Sequence, residues 1–458
     1  MRRFAVLVLI PVFICTVIPA FAQDSTQSDS STQSETTNEP PSFGFAMGLG
    51  LGVQSFENPD GTVETWQMLG LKPDFSFGKL GVGLDLTVNY RFTGGDGNDF
   101  EVRKDDWVPT GDTNFFELYL PKIQYIRWGM KGDPLFVKLG SIEDATLGNG
   151  FIMGNYANTL FLPDRRIFGL ALDVDGKLFD FPYIGMESFI ANLAAYDVMG
   201  SRLYVRPLAG TEIPVLKELQ LGGTAVTDLN PYYYADKDPA FTGTVDNSAE
   251  VLVWGADFRL PIIARKALSL ATFGDVVSEN QNYGGMVGFG GRIIKILTYG
   301  AQIRFIGDNF IPVYFDSTYD VRRVERYQTI NGDNPTEGYI GWLASAGFAL
   351  FDDALVFNTS LEGPFGNPAG VEPTLRSSLL LAQGLVPHIS LQGNYVKQDI
   401  GSFSDLGSAR DAVIGAQINY QTGPAVISLI YDLKYDPYAT GSSPWVVTSR
   451  LESTISLY

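Results

Sequence analysis

The sequence predicts an all-β fold: a single antiparallel transmembrane β-barrel of about 20 strands, with 18 as the alternative count. Three observations support it. Apolar and polar residues alternate over stretches of about 9 to 14 positions, the length needed to cross a bilayer at a tilt. Short connections alternate with long ones along the chain. Aromatic residues collect at strand ends beside the long connections, which predicts short periplasmic turns, long extracellular loops and interfacial aromatic girdles.

The alternation is clearest in KLGVGLDLTVNYRF, residues 79–92, where every even-numbered residue is apolar and every odd-numbered residue is polar or glycine. In a strand these two sets face opposite sides of the sheet. After the apolar N-terminal segment, residues 1–22, no stretch of the chain holds about 18 consecutive apolar residues, so membrane-spanning helices are not expected. The predicted strands are 43–55, 64–76, 79–92, 113–128, 134–142, 166–178, 183–194, 201–208, 218–227, 250–260, 266–276, 283–294, 298–307, 339–351, 354–361, 373–383, 386–396, 411–420, 424–434 and 445–457.

The N-terminus carries an export signal. Arg2 and Arg3 precede an apolar segment, and Ala20-Phe21-Ala22 supplies the small residues that a signal peptidase needs. Cleavage after residue 22 removes two arginines and takes the formal net charge from −19 to −21. It also removes Cys15, so the mature chain has no disulfide. The alternative is a lipoprotein signal cut before Cys15, although Val-Phe-Ile precedes that cysteine.

The following segment, residues 23–42, is rich in Ser, Thr and Gln and has no apolar side chain apart from prolines. It cannot bury enough surface to offset its ordering entropy, so we expect a disordered linker. The expected organisation is therefore a signal peptide at 1–22, a linker at 23–42 and a barrel at 43–458.

Several classes of function are disfavoured by composition. A strongly acidic chain repels phosphate, so nucleic acid is not an expected partner. His388 is the only histidine and follows Pro387 beside a predicted turn, which disfavours a Ser-His catalytic arrangement. With no cysteine left after cleavage, a transition-metal site of the usual kind is not expected either. We expect no enzymatic activity and no cofactor.

The alternating pattern of residues 43–458 resembles that of Gram-negative outer-membrane β-barrel proteins of the porin and transporter kind. Its last strand, WVVTSRLESTISLY, ends in an aromatic residue and is similar to the assembly signal of such proteins, although Tyr458 falls on the opposite face from the apolar set. Asn367-Pro368-Ala369-Gly370 also resembles a motif of long-chain fatty-acid barrels, but its late position indicates a turn. The resemblance implies residence in the outer membrane, contact with its lipid and lipopolysaccharide, and recognition by the barrel-assembly machinery during biogenesis.

The face opposite the apolar one carries charges of both signs, which in a wide barrel indicates a water-filled lumen. Some of these charges would pair across strands and contribute only to stability. The candidate lumen-lining residues are Asp85, Asp173, Asp175, Asp257, Arg259, Arg304, Arg376, Gln392, Asn394 and Lys434.

The long loop 143–165 contains LGNGFIMGNY, residues 147–156. A phosphate-binding loop requires a strand that leads into a helix of an α/β unit, which barrel strands do not provide. Apolar residues at its centre are unfavourable in water, so we expect the loop to fold inward and narrow the lumen, with glycines at its bends. The candidate constriction residues are Asn149, Phe151, Ile152, Met153, Asn155 and Tyr156.

The longest loop, 308–338, contains VRRVERYQ. Arg322, Arg323 and Arg326 would form a positive surface patch able to contact lipopolysaccharide phosphates or attract anionic solutes. The alternative is neutralisation by the nearby acids at positions 316, 320 and 325.

Three functions remain open. The first is a passive channel for small-molecule solutes, narrowed by loop 143–165, with selectivity set by lumen width and charge. The second is a closed, surface-exposed structural or adhesive barrel that acts through loops 93–112, 228–249 and 308–338. The third is a transporter of hydrophobic compounds, like the fatty-acid barrels, supported by the apolar residues 151–153 and 160–162.

Overall fold

The structure is a computed structural model, and it describes residues 43–57, 63–93, 99–109, 115–161, 167–235, 241, 243–265, 267–408, 410–423, 425–435 and 445–457. The signal peptide and the linker, residues 1–42, lie outside these ranges. Within the described ranges, no helix is both long and apolar enough to cross a membrane.

The described residues are almost entirely strand, with two α-helices: α1 (Phe115–Tyr119) and α2 (Tyr319–Ile330). The strands are β1 (Phe43–Glu57), β2 (Val63–Phe77), β3 (Leu80–Leu84), β4 (Leu86–Thr93), β5 (Asp99–Val102), β6 (Ile123–Trp128), β7 (Leu135–Gly140), β8 (Gly169–Asp175), β9 (Ile184–Ile190), β10 (Val198–Val205), β11 (Gln220–Asp228), β12 (Val251–Arg265), β13 (Leu268–Glu279), β14 (Asn282–Ile293), β15 (Leu297–Ile306), β16 (Tyr339–Leu350), β17 (Leu355–Pro364), β18 (Thr374–Val386), β19 (Ile389–Lys397), β20 (Ala412–Thr422), β21 (Ala425–Tyr435) and β22 (Trp445–Leu457).

These strands form one antiparallel sheet that closes on itself. Each wall strand pairs with its neighbours in chain order, and β1 pairs with β22, from Met47 opposite Leu457 to Gln54 opposite Arg450. Both β3 and β4 pair with β2 and form one wall strand interrupted at Asp85, whereas β5 pairs only with β4. The described part of the chain therefore has twenty wall strands. The predicted fold class and the count of twenty strands are confirmed.

The outer face is apolar and the inner face is mixed, as the alternation predicts. Along β12, Leu252 and Trp254 are 54% and 55% exposed, whereas Val253 and Asp257 are buried. Along β20, Ile418 and Tyr420 are exposed, and Gln417 and other odd-numbered residues face the lumen. Large apolar side chains are unfavourable in water, so an exposed apolar band around a barrel indicates a lipid-facing surface.

The wall differs from the prediction on one side. The predicted strand 113–128 is shorter, because α1 and a short 3₁₀ turn precede β6. Strands β6 to β9 contain only 6 or 7 residues each, whereas β12, β1 and β2 contain 15. In this region the chain at 141–161 leaves the wall and enters the lumen instead of extending the strands.

Candidate functional site

Two loops meet inside the barrel. Loop 143–165 approaches the chain between β15 and α2, and Met153 pairs with Phe315 as a parallel bridge. Three backbone hydrogen bonds connect the same segments: Phe315 donates to the Ile152 carbonyl at 3.1 Å, Val313 to the Phe151 carbonyl at 3.0 Å, and Gly154 to the Phe315 carbonyl at 3.1 Å. We call these paired segments, residues 145–156 and 310–330, the inner plug.

The inner plug packs against one half of the wall. Phe151, Ile152, Met153 and Tyr156 are 1%, 3%, 0% and 0% exposed. They belong to one apolar core with inward side chains from β9 through β15 and with residues of the second loop. The wall contribution to this core comes from Phe189, Val198, Val226, Val251, Val253, Phe273, Val277, Met286 and Ile306. The predicted constriction residues thus lie inside the barrel, fixed against its wall.

Polar contacts hold the first loop of the plug at a fixed depth. The Asn149 side-chain amide donates to the Phe258 carbonyl at 3.1 Å and to Asp275 Oδ2 at 3.0 Å. The Gly148 N–H donates to Glu187 Oε2 at 2.9 Å. Gly148 has φ +58, and a Cβ there would lie 2.8 Å from Arg202 Nε, so glycine is required both for the bend and for the close approach.

Beneath this bend lies a cluster of three charged residues, which come from β9, β10 and β12. Arg202 binds Asp257 through two hydrogen bonds, Nε to Oδ2 at 2.9 Å and Nη2 to Oδ1 at 2.6 Å, and its Nη1 reaches Glu187 Oε1 at 3.1 Å. The side chains of Arg202 and Asp257 are 2% and 3% exposed. Bidentate geometry of this kind is the strongest form of an arginine–carboxylate contact.

A second series of ion pairs connects the wall to the inner plug. Arg304 of β15 and Arg376 of β18 both bind Glu362 of β17. Arg376 also contacts Asp316 at 3.2 Å, and Asp316 binds Arg326 of α2 at 2.8 Å. Burial alone would raise the pKa of Asp316, but Arg326 and Arg376 lower this pKa to about 2. Asp316 is therefore ionised at neutral pH and bridges two arginines.

The third cluster surrounds Arg323 of α2. Its guanidinium lies 2.8 Å from Asp320, 2.8 Å from Asp197 and 3.4 Å from Asp228, and all four groups are buried. Tyr156 donates to Asp320 at 3.0 Å, so the first plug loop joins the cluster. Burial, together with the nearby Asp197, raises the pKa of Asp320 to about 6, although Arg323 opposes this shift. One cation among three carboxylates leaves excess negative charge in a closed space.

The structure therefore contradicts the surface patch expected at 322–326. Arg323 and Arg326 are 2% and 5% exposed and lie inside the lumen, because residues 319, 323, 326 and 330 form the buried face of α2. Arg322 lies on the other side of the helix and pairs with Glu325 at 2.5 Å and Asp399 at 3.4 Å. The observed pairs agree with the alternative, in which nearby acids neutralise these arginines. Arg326 pairs with Asp316, Arg323 with Asp320, and Arg322 with Glu325.

The other candidate lumen residues lie along the inner face. Asp85 is buried next to Thr87, Asp173 lies 3.6 Å from Lys131, and Asp175 binds Arg206 at 2.6 Å. Arg259 faces inward opposite Gln220 in the β11–β12 register. The side chain of Lys434 lies outside the described residues.

The opposite half of the lumen is more open. Gln392 is exposed and Asn394 is half-buried, although both lie on the inner face of β19. On β1, the inward positions 48, 50 and 52 are all glycine and contribute no side chain. The apolar core of the plug includes residues of β9 to β15 and none of the described residues of β18 to β22 or β1. The inner face along β1, β19 and β20 carries small and amide side chains, with Gln392 exposed, whereas Arg376 of β18 and Glu452 of β22 are buried in ion pairs.

Three residues of the buried charged clusters were not predicted: Arg202, Asp197 and Asp228. Asp197 and Asp228 lie at strand ends, where acidic residues are typical of loops. The available signal is helical spacing: Tyr319, Arg323 and Arg326 recur at intervals of four and three, which indicates one face of a helix.

A cluster of side chains suited to metal binding is not found in the described ranges. No set of three or more His, Cys, Asp and Glu residues there is arranged to hold a metal ion. His388 lies in the tight turn between β18 and β19 with φ +66, and its ring centroid is 6.0 Å from that of Tyr420.

No protein-family model matches this chain, and no curated protein matches it. Among solved structures, OccAB1 of Acinetobacter baumannii is similar with 8% identity and a TM-score of 0.33, over 91% of this chain and 96% of that chain. OpdK of Pseudomonas aeruginosa, solved with vanillate, has 10% identity and a TM-score of 0.33, over 90% and 98%. OccK2 (OpdF) of the same organism, solved in complex with glucuronate, has 10% identity and a TM-score of 0.34, over 92% and 100%. Structural similarity at these TM-scores does not indicate a shared function.

Proposed function

We propose that this chain is an outer-membrane channel that passes small polar solutes by diffusion, with the inner plug as its constriction. The supporting observation is the asymmetry of the lumen: the plug fills the side along β9 to β15, and solvent-accessible amide side chains line the side along β19 and β20. The exposed apolar outer band fits contact with lipid and lipopolysaccharide. Selectivity would follow from the width and polarity of the remaining space.

Planar-bilayer recording of the purified protein tests this proposal. We expect steady ohmic openings in KCl, and swelling of proteoliposomes in solutions of small sugars. The absence of both in folded protein would contradict the channel function. Folding is checked beforehand by the shift in electrophoretic mobility between heated and unheated samples.

The two competing functions have less support. A hydrophobic-solute transporter would need Phe151, Ile152 and Met153 to be accessible, but they are at most 3% exposed. Leu160 and Phe161 are half-buried, with Phe161 packed on Tyr234 at 4.6 Å between ring centroids, and Leu162 lies outside the described residues. An adhesive barrel would display loop 308–338, but Tyr314, Phe315 and Tyr319 of that loop are each 0% exposed.

A further inference from the structure

The inner faces of β19 and β20 carry a continuous set of uncharged polar side chains. In the register of these strands, Gln392 lies opposite Gln417 and Ser390 opposite Asn419. Asn394 continues the set toward the loop end of the barrel, opposite Gly415. We call Ser390, Gln392, Asn394, Gln417 and Asn419 the amide track. Its three rows span four residue steps along the strand, or about 14 Å.

Part of the amide track is held in place and part is available to a solute. The Gln417 side-chain amide donates to Asn419 Oδ1 at 2.8 Å, and the Asn419 amide donates to Ser390 Oγ at 3.1 Å. Gln392 and Asn394 make no side-chain hydrogen bond to any residue that the structure describes. Gln392 is moreover exposed on the inner face. Its donor and acceptor groups therefore face water in the lumen.

Charge in this part of the barrel disfavours an anion. Arg304 and Arg376, the closest inward arginines toward the plug, are buried and bind Glu362 and Asp316. At the loop end of the track, the Asp432 carboxylate lies beside Asn394 over Gly415, whose lack of a side chain leaves room for both. An anionic solute at the track therefore meets arginines that are already paired with carboxylates, and a further carboxylate at the loop end.

We propose that the amide track is a binding path for uncharged, hydroxyl-rich solutes of the sugar class. Primary amides both donate and accept hydrogen bonds without net charge, and so do sugar hydroxyl groups. Successive rows let a solute exchange one set of hydrogen bonds for the next, which keeps each binding step weak enough for release. This inference rests on the proposed channel function and names its substrate class.

The alternative is a path for anions along another part of the wall. Arg127 of β6 lies opposite Lys138 of β7, and both face the lumen. An anionic solute would use these cations, and a neutral sugar would not depend on them. The two paths therefore respond to different substitutions.

Proteoliposome swelling with glucose and glucuronate, solutes of similar size that differ in charge, tests the inference. We expect glucose to enter faster. The double variant Gln392→Met/Gln417→Met keeps side-chain length and removes the amides. It should slow glucose entry about three- to tenfold, the effect of losing one or two neutral hydrogen bonds. Its KCl conductance, recorded on the same preparation, shows whether the pore is still open. The control is Gln67→Met, an exposed glutamine on the outer face of β2, which should change neither.

Two results would overturn the inference while leaving the channel function intact: normal KCl conductance with glucose entry unaffected by the double variant, or faster entry of glucuronate that Lys138→Gln abolishes. A folded parent protein with neither conductance nor swelling would overturn the channel function and this inference with it.

Discussion

Met153 and Phe315 pair backbone to backbone in the middle of the barrel, and both side chains are fully buried. This contact joins two loops that leave the wall at distant points of the sequence. Neither loop covers this interior surface alone, because each supplies apolar side chains that the other buries. The inner plug is therefore a two-loop structure fixed to the wall by charged clusters at its edges.

Shortening the first plug loop should enlarge the pore. Replacing residues 148–155 by a Gly-Ser linker of three residues removes the tip that lies in the lumen, and we expect single-channel conductance to rise about twofold or more, because the cross-section limits ion flow. The matched control shortens loop 365–372, which lies mostly exposed at the rim. Unchanged conductance in the 148–155 variant would rule out this loop as the constriction.

The buried pair below the loop should dominate local stability. Arg202→Met leaves Asp257 and Glu187 without their cation, and removing one partner of a buried pair typically costs about 3 to 5 kcal/mol in the free energy of unfolding. Urea titration of the refolded protein measures this loss. The control is Lys79→Gln, whose partner Asp133 lies 3.7 Å away at the surface and whose loss should cost less than about 1 kcal/mol. Equal losses in the two variants would contradict the prediction.

Asp320 should make the folded protein less stable as the pH rises from mildly acidic values to neutrality. Its pKa is about 6 in the folded chain against 3.8 for an ordinary aspartate, so the folded chain binds this proton more tightly. The stabilising contribution is complete below about pH 4 and is lost as the pH rises through 6, for a total of about 2 to 3 kcal/mol. Asp316, with its pKa lowered to about 2, stays ionised across this range and adds no slope.

The measurement is the free energy of unfolding at pH 5 and pH 8. Asp320→Asn should reduce the difference between these values, because the amide is neutral beside Asp197, Asp228 and Arg323 at both pH values. Asp352→Asn, in an exposed turn, is the control and should leave the difference unchanged. An Asp320→Asn protein with the parent's pH profile would refute the assignment.

The lipid-facing assignment can be tested on one strand. Ile418→Lys places a charge on the outer face of β20, 43% exposed, where lysine near the bilayer midplane costs about 2 to 4 kcal/mol. Gln417→Lys places the same charge one residue away, on the lumen side, and should cost well under 1 kcal/mol. Refolding yield into lipid vesicles and urea titration both report the difference. Similar costs at the two positions would contradict a membrane-facing outer surface.

The wall could be predicted from the sequence because its signal is local. Inward and outward residues alternate along 79–92 and 251–260, and this pattern does not depend on which strands lie next to them. The alternation determines which side chains face lipid. All twenty predicted wall strands are present, with the largest error at 113–128, where Phe115 to Tyr119 form a helical turn before β6. The inward course of loop 143–165 was also predictable, since Phe151, Ile152 and Met153 are unfavourable in water.

The interior depended on contacts between residues far apart in the chain. VRRVERYQ alone is compatible with a surface patch, and only the fold brings Arg323 to Asp197 and Asp228, which lie on other strands and loops. A charged side chain can be buried only where partners compensate for its lost hydration, and sequence spacing does not show which partners closure of the barrel provides. The sequence by itself determined the strands of the wall and which of their side chains face outward. The tertiary structure decided that loop 308–338 joins loop 143–165 in the lumen and which part of the wall the two loops cover, because both depend on how the loops pack against one half of a closed barrel.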